Sequence, residues 1–303
     1  MRGFLSRSRF TATLLAALLA AVLATFALAA RTANRLTTNR DSFRFAILGD
    51  RTGEAQPGVY ERAWKDVAAA NPAFVVSVGD TIQGLKDETA ETEWQDVRRI
   101  LHPYRRFPLY LAPGNHDIWS DESQKLFEKY AERQPHYSFD YRQAHFTILD
   151  NSRSEQFSIE EMAFLKADLE AHAAQPLKFI VSHRPSWLME TLFNNTEFPL
   201  HLLAKKYGVQ YIVAGHVHEM LHAELQGVTY VSIPSAGGHL RASKKYEDGW
   251  FFAYTLATVR GSEAGLEIKE LKPPFGEGRV TTPADWGKIG LKEKAAAANA
   301  SPM

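Results

Sequence analysis

The chain has no cysteine in its 303 residues, which excludes disulfide bonds and a lipid-modified cysteine. A surplus of either charge is also missing, because 35 Lys and Arg balance 35 Asp and Glu. The overall basic field that nucleic-acid-binding proteins use is therefore absent, and we expect no nucleic-acid partner. Internal repeats are absent from the sequence too. With 45% hydrophobic residues, the chain can bury one large core, and we predict one domain rather than two.

The amino-terminal residues resemble an export signal. Arg2, Arg7 and Arg9 precede an apolar run from Phe10 to Ala30, which ends in small residues. This order is typical of a secretory signal peptide. The run of 21 residues is also long enough to span a bilayer, so an uncleaved membrane anchor is the open alternative. In both cases we expect the rest of the chain to be exported, periplasmic or extracellular, and to touch a membrane only through this segment if it stays uncleaved.

The remaining sequence alternates between strand and helix patterns, as a layered α/β fold requires. We predict a signal peptide or anchor at 1–30, a linker at 31–42, one domain at 43–270 and a poorly structured tail at 271–303. Helical spacing occurs at 58–70, 89–101, 122–132, 158–172 and 199–207. Two strand patterns, at 230–233 and 250–256, are predicted to complete a second sheet.

A histidine pair is the most informative motif. His216 and His218 stand in Ala214-Gly215-His216-Val217-His218, just after the apolar stretch Tyr211-Ile212-Val213. Alternation along a strand sends both imidazoles to one side, where they can reach neighbouring cations. Gly215 lets the backbone come close because it has no Cβ. Paired histidines also occur as ordinary hydrogen-bonded residues, so this motif alone leaves both interpretations open.

Four more polar clusters follow apolar, strand-like runs. They are Gly49-Asp50, Gly79-Asp80, Gly114-Asn115-His116-Asp117 and His183-Arg184-Pro185. In α/β sheets, ligands bind beyond the carboxyl ends of the strands, so five such ends can converge although they lie far apart in sequence. Any one cluster is also consistent with an ordinary turn. The five together predict a metal site.

These motifs, in this order, resemble those of the calcineurin-like metallophosphoesterases over about residues 43–260. The family pattern runs Asp-x-His, Gly-Asp-x-x-Asn or Asp, Gly-Asn-His-Asp or Glu, His, and Gly-His-x-His. The resemblance implies an α/β fold: a four-layer αββα sandwich of two mixed β-sheets flanked by helices, with the metal site at the carboxyl ends of strands. It also implies hydrolysis of a phosphomonoester or phosphodiester by metal-activated water at a dinuclear centre.

The resemblance implies six metal ligands. The first ion would be held by Asp50 and His218, the second by Asn115, His183 and His216, and Asp80 would bridge the two.

Two further residues receive implied catalytic roles. His116 is at the family's position for protonating the leaving alkoxide or steadying the phosphoryl group. Asp117 would orient or polarise that imidazole. The ligand set of Asp, Asn and His suits manganese, iron or zinc, and two such ions are expected.

The chain departs from the family pattern at two positions. Thr52 replaces the usual histidine, and its neutral hydroxyl is a poorer ligand, so we expect a weakened first site. Gln83 stands where asparagine or aspartate is usual; it either binds metal through its amide oxygen or, as we favour, hydrogen-bonds nearby. Purple acid phosphatases, which are relatives, also lack that histidine and place a tyrosine at the second position. Arg51 either clamps phosphate oxygens or pairs with Glu54 or Asp87 on the surface.

Several other residues have two open interpretations. His239 either lines the pocket or is a solvated loop residue. Asn151 either touches substrate or forms a turn. Trp119 and Trp187 are cleft walls or packing residues. The basic run at 241–245 either meets an anionic substrate or headgroup or is a solvated loop, as we favour. We interpret His145 and His222, within strand patterns, as structural.

Two functional hypotheses follow. The first is an exported metallophosphoesterase that acts on a small-molecule or lipid-linked phosphoester. The second is a metal-binding domain that lost hydrolytic power when Thr52 replaced a ligand and now binds a partner at the envelope. We favour the enzyme, because a degenerate site is not expected to keep His116 together with all six implied ligands.

Overall fold

The computed structural model describes residues 42–272 and 276–286. The predicted signal peptide or anchor, the linker up to residue 41 and the end of the predicted tail lie outside the described residues. Among the helices in these two ranges, none has the length and apolar character needed to cross a bilayer.

The described residues up to 214 combine strands with α-helices, whereas those from 215 on contain strands but no α-helix. The strands are β1 (Ser42–Leu48), β2 (Val75–Ser77), β3 (Leu109–Leu111), β4 (Tyr137–Tyr141), β5 (Ala144–Ile148), β6 (Leu177–Val181), β7 (Tyr211–Ala214), β8 (Leu221–Leu225), β9 (Val228–Ser232), β10 (Ala253–Arg260), β11 (Glu263–Lys272) and β12 (Gly276–Thr281). The helices are α1 (Val59–Ala70), α2 (Asp87–Leu101), α3 (Asp121–Ala131), α4 (Ile159–Ala171), α5 (Leu188–Leu192) and α6 (Pro199–Tyr207).

In the described part of the chain, the strands form two six-stranded sheets. The first has the order β12-β11-β10-β1-β2-β3, and the second has the order β4-β5-β6-β7-β9-β8. Strands β1, β2 and β3 are parallel to one another, as are β5, β6, β7 and β9. The predicted mixed α/β fold with two mixed sheets flanked by helices is confirmed. In each parallel set, the carboxyl ends lie at one edge of the sheet.

Alternation along the strands explains the layers. In β1, Phe45 and Ile47 enter the core that also contains Phe146 of the second sheet, while Leu48 packs with Trp64 of α1 on the other face. The Phe45 and Phe146 rings meet edge to face, with centroids 5.1 Å apart. Burying one such ring contributes about 1.5–3 kcal/mol. A period of two thus gives one strand two apolar faces, one for the facing sheet and one for a helix.

Two predictions about the end of the chain are corrected by the structure. The strand predicted at 250–256 begins at Ala253 and lies beside β1 in the first sheet, because the chain crosses back after β9. The tail predicted from 271 is ordered at 276–286: β12 pairs antiparallel with β11, and Trp286 is buried in the core between the sheets. A short, charged edge strand carries little apolar signal, which explains why the sequence did not show it.

A buried polar network supports the outer face of the second sheet. The His145 Nε2 atom is 2.9 Å from Asp168 Oδ2, and His145 Nδ1 is 2.7 Å from Asp140 Oδ1. Thr147 and Ser138 also donate to the Asp168 carboxylate, each at 2.6 Å. Burial lowers the pKa of His145, but its two carboxylate partners outweigh burial and raise the pKa overall. Burial raises the pKa of Asp168, and the donors around it, His145 first, lower it overall.

Asp168→Asn is expected to destabilise the fold most in mildly acidic solution. A histidine with a raised pKa stabilises below its unfolded value of about 6.5, and an aspartate with a lowered pKa stabilises above about 3.9. Between those values both groups are charged, and removing one partner of a buried pair costs about 3–5 kcal/mol. The measurement is urea unfolding at pH 5.5 and pH 9, with the surface variant Asp96→Asn as control. An equal cost at both pH values would contradict this account.

Candidate metal centre

Four residues at the carboxyl ends of β1, β2 and β7 have an unusual backbone. Asp50, Asp80, His216 and His218 have φ values of 51°, 56°, 69° and 61°. Left-handed conformations of non-glycine residues cost about 1–3 kcal/mol each, so the surrounding contacts must hold them in place. Three of these side chains are fully buried, and that of His216 is half-buried. The sharp turns bring residues far apart in sequence into one cluster.

The first group of ligand atoms comes from Asp50, Asp80 and His218, whose donor atoms all lie within 4.8 Å of one another. The His218 Nδ1 atom donates to the carbonyl of His239 at 2.8 Å, which leaves its Nε2 lone pair for a cation. Both His218 Nε2 and Asp80 Oδ2 are buried and lack a hydrogen-bond partner among the described residues. Leaving such an atom unsatisfied costs about 1–3 kcal/mol. A metal ion between them fits this arrangement.

The second group is centred on His183. Its Nδ1 atom donates to the carbonyl of Val78 at 2.8 Å, so its Nε2 carries the lone pair. That Nε2 lies 3.0 Å from Asn115 Oδ1, 3.1 Å from His216 Nδ1 and 3.3 Å from Asp80 Oδ1. Several acceptor atoms therefore face one another, and only a cation or a proton between them can satisfy their lone pairs. The six implied ligands thus lie together, with Asp80 in both groups.

Electrostatics also call for positive charge here. Burial raises the pKa of Asp50 to about 7, and the neighbouring Asp80 carboxylate adds to the rise. Burial alone lowers the pKa of His183, but the carboxylates of Asp80 and Asp50 outweigh it and raise the pKa to about 9. Two carboxylates buried side by side repel each other unless a cation lies between them. In the metal-free protein, a proton on His183 takes part of that role.

The two unusual positions are not ligands in the structure. The Thr52 hydroxyl donates to the backbone carbonyl of Asp80 at 3.3 Å. The Gln83 side-chain oxygen accepts from the backbone N–H of Gly53 at 3.2 Å, in agreement with the interpretation that we favoured. Both side chains therefore connect the loop after β1 to the loop after β2. The first group keeps three protein ligands, fewer than the second.

The surface pairing predicted for Arg51, with Glu54 or Asp87, is not among its contacts in the described residues, and the alternative phosphate clamp stays a prediction. The Arg51 guanidinium donates to the carbonyl of Thr81 at 3.2 Å and lies 5.6 Å from the centre of the Tyr60 ring. The predicted partner Asp87 instead accepts from the Ser120 hydroxyl at 2.8 Å. The pairing prediction was wrong because the guanidinium contacts a backbone carbonyl and an aromatic face instead.

The role predicted for Asp117 is also corrected. Its carboxylate accepts three backbone N–H groups, from Thr81 at 2.8 Å, Gly114 at 2.9 Å and Ile82 at 3.2 Å. Burial raises its pKa to about 6, and the charge of Asp80 adds to the rise. Asp117 therefore fastens the loop after β2 to the loop after β3 and does not orient the His116 ring.

His116 is fixed by other partners. Its backbone N–H donates to Asp80 Oδ1 at 2.9 Å, which places it directly beside the shared carboxylate. Its ring Nδ1 lies 2.5 Å from the carbonyl of Gln83, which occupies Nδ1 and leaves Nε2 to serve a substrate. The half-buried ring is therefore held at the border between the ligand cluster and solvent.

The loop after β9 completes the cluster, and the sequence revealed little of its role. The Ser235 hydroxyl and the Gly238 N–H both donate to the Asp50 carbonyl at 2.7 Å, and His239 takes part through its carbonyl. A Cβ on Gly238 would lie 1.9 Å from the carbonyl oxygen of Thr52. Only glycine permits this approach, and the Gly237-Gly238 pair was the one signal in the sequence.

Two other open interpretations are decided by the contacts. The Asn151 side-chain oxygen accepts from the backbone N–H groups of His183 at 3.2 Å and Arg184 at 3.0 Å, so it holds the loop after β6. Trp187 is 1% exposed and packs with Tyr230 in the core on the helical side of the second sheet, so it is not a cleft wall.

The fold and the cluster together define a class of protein: a two-layered sheet sandwich that gathers carboxylate, amide and imidazole ligands for metal ions at the carboxyl ends of its strands. The family model for calcineurin-like phosphoesterases matches residues 43–220. The chain belongs to this family, which confirms the resemblance seen in the motifs.

Known proteins similar to this chain include acid phosphatases. Rabbit (Oryctolagus cuniculus) tartrate-resistant acid phosphatase type 5 is 24% identical over 294 residues, covering 78% of this chain and 87% of that protein. A purple acid phosphatase from yellow lupin (Lupinus luteus) seeds has a TM-score of 0.61 at 16% identity. The match covers 86% of this chain but only 56% of the lupin chain. GAP50, the anchor in the inner membrane complex of Plasmodium, has a TM-score of 0.54 at 16% identity over 86% of this chain and 95% of its own. At such identities, the two solved structures support the fold alone.

Proposed function

We propose that the chain is a metal-dependent phosphohydrolase that cleaves phosphoric esters at a centre of two cations. The observation that carries the proposal is the pair of buried atoms without a partner, Asp80 Oδ2 and His218 Nε2, beside a second group of converging acceptors. Two divalent or trivalent cations held there supply an activated water and polarise the phosphoryl oxygens. Manganese, iron or zinc suits this donor set.

The residues of the chain contribute positioning and a proton. Asp80 contributes a full negative charge to both ligand groups, which keeps two cations close together. The Nε2 atom of His116, opposite the nitrogen held by Gln83, is the group placed to protonate a departing alkoxide. The similarity to acid phosphatases supports hydrolysis of phosphoric esters as the activity.

The cellular setting is part of the same proposal. The arginines and the apolar run of the first 30 residues support export, with the domain in the periplasm or outside the cell. A small-molecule or lipid-linked phosphoester found there is the proposed substrate. Detecting the chain in the periplasmic or membrane fraction, rather than in the cytoplasm, tests this part.

His116→Gln tests the proton donor. If Nε2 protonates the leaving group, kcat/KM falls about 10²–10⁴-fold with phenyl phosphate, whose leaving group is strongly basic. The fall is much smaller with p-nitrophenyl phosphate, because nitrophenolate leaves without a proton. The assay uses the manganese-loaded or iron-loaded protein. The control is His102→Gln, which changes an exposed histidine. An equal fall with both esters would show that His116 steadies the phosphoryl group instead.

A second candidate is a binding protein without turnover. The observation that favours it is the first ligand group, to which neither Thr52 nor Gln83 contributes a ligand. The similarity to GAP50, described as an anchor, is compatible with such a role. Tight metal binding without hydrolysis of any ester in a panel of phosphomonoesters and phosphodiesters would support this candidate and overturn the enzyme.

A further inference from the structure

Arg184 lies directly beside the second ligand group, although its neighbour His183 was the residue that the motif singled out. Its Nη1 atom is 3.2 Å from the Nε2 atom of His216. The same guanidinium reaches the carbonyl of Ser152 at 3.4 Å and forms an ion pair with Glu155. The Arg184 side chain is only 15% exposed, whereas that of Glu155 is 73% exposed. A largely buried cation thus stands at the metal centre with a solvated partner.

The backbone of Arg184 is fixed in place. The Asn151 side chain accepts from the Arg184 N–H at 3.0 Å and donates to the Arg184 carbonyl at 2.8 Å. The same amide donates to the Ser186 hydroxyl at 3.0 Å. A side chain that starts from a fixed backbone loses less conformational entropy when it binds a ligand. The loop is therefore preorganised to present the guanidinium.

A bound cation changes what Arg184 can contact. The Nδ1 atom of His216 faces His183 Nε2 at 3.1 Å, so Nδ1 is the atom that would bind the second ion. An imidazole that binds metal through Nδ1 carries its proton on Nε2, and an N–H cannot accept a hydrogen bond from arginine. With a cation on His216 Nδ1, the guanidinium would therefore lose one acceptor, and its N–H groups would be available to an anion at the centre.

We propose that Arg184 binds the non-bridging oxygens of the substrate's phosphoryl group and makes the site favour dianionic phosphomonoesters over monoanionic phosphodiesters. This inference rests on the proposed function. A guanidinium holds two phosphate oxygens in a bidentate arrangement. A monoester has three non-bridging oxygens, enough for both cations and for arginine. A diester has only two non-bridging oxygens. Its second ester group would face the guanidinium and offers no negative charge for the guanidinium to bind.

The surroundings add to the positive field at the opening. Arg241 follows the loop that contacts Asp50 and His218, and it is exposed. A second arginine near the centre favours the substrate with the larger negative charge.

The test compares two esters with the same leaving group. Arg184→Met is expected to lower kcat/KM for p-nitrophenyl phosphate about 10- to 100-fold, the effect of one charge-assisted contact. For methyl p-nitrophenyl phosphate, a diester, the loss is expected to stay below about threefold, because the lost contact is specific to the dianion. Arg184→Lys keeps the positive charge but loses the bidentate geometry of the guanidinium. Its kcat/KM for p-nitrophenyl phosphate is expected to lie between those of wild type and Arg184→Met. An equal loss with both esters would overturn the proposal.

Binding of inorganic phosphate provides a readout without turnover. Calorimetric titration of the manganese-loaded protein is expected to show at least about tenfold weaker phosphate binding in Arg184→Met, with unchanged metal content. Glu155→Gln removes the ion pair but keeps the guanidinium, so phosphate binding is expected to stay equal or become tighter. If Glu155→Gln weakens binding as much as Arg184→Met does, the ion pair is only structural and the proposal fails.

One further control separates charge from position. Arg99→Met removes an arginine that is 76% exposed and paired with Asp96; phosphate binding is expected to match wild type. Should wild type hydrolyse neither ester, the proposed function fails, while phosphate titration still decides whether Arg184 binds an anion.

Discussion

Asp80→Asn is expected to lower kcat/KM for phosphomonoesters by at least about 10³-fold, equivalent to about 4 kcal/mol of transition-state stabilisation. Asp80 is the one residue that appears in both ligand groups, and asparagine keeps its shape while removing its charge. Without that charge, two cations close together repel each other with less compensation. The measurement is steady-state hydrolysis of p-nitrophenyl phosphate together with metal content per chain.

The control for this variant is Asp121→Asn, which neutralises a carboxylate that is 92% exposed and paired with Arg153. It is expected to keep wild-type activity and metal content. If Asp80→Asn kept both ions and more than about a tenth of the wild-type kcat/KM, a loss of about 1.4 kcal/mol or less, Asp80 would not be the shared ligand.

Asp50→Asn is expected to be more stable than wild type without metal at pH 8, and no more stable than wild type once metal is bound. The pKa of Asp50 is raised to about 7 in the fold, first by burial, against about 3.9 in an unfolded chain. The folded state then binds more protons between about pH 4 and 7, so wild type loses stability as the pH rises through that window. Asparagine avoids this loss, which is on the order of 2–4 kcal/mol by pH 8.

Metal offsets that advantage. An ion at one thousand times its dissociation constant stabilises the fold by about 4.1 kcal/mol per site. Asp50→Asn is expected to give up this stabilisation at the first site, which offsets the roughly 2–4 kcal/mol that it gains without metal. Urea unfolding with a chelator and with manganese, at pH 5 and pH 8, tests both halves. At pH 5 without metal, the advantage of the variant is expected to be about a third of its value at pH 8, because most of the wild-type loss occurs above pH 5. A variant less stable than wild type under all four conditions would contradict the prediction.

The convergence of the implied ligands could be predicted because it depends on local signals. Apolar runs followed by Gly-Asp, Asn-His-Asp and Gly-His-x-His mark strand ends, and parallel pairing brings those ends to one edge. The predictions that were wrong concern residues whose partners lie in other loops, which meet only in the folded protein. Asp117 was assigned to His116 because the two are adjacent in sequence, yet three backbone N–H groups from two loops bind it.

Other residues gave too little signal for their roles. Asn151 and Gly238 hold ligand-bearing loops in place, but an Asn after a strand and a Gly in a loop also fit ordinary turns. The sequence pattern predicts no role for Arg184, although the Arg184 guanidinium contacts His216. These roles depend on contacts between segments that are distant in sequence, and the periodicity within one segment does not predict such contacts.

The central claim is that this edge of the sandwich holds two cations bridged by Asp80. Anomalous diffraction from crystals of the manganese-loaded protein tests it most directly. We expect two peaks, one among Asp50, Asp80 and His218, the other among Asp80, Asn115, His183 and His216. The two are expected to lie about 3.5–4 Å apart. If crystals saturated with manganese showed a single peak, in the second group, and no peak beside His218, the account would be contradicted.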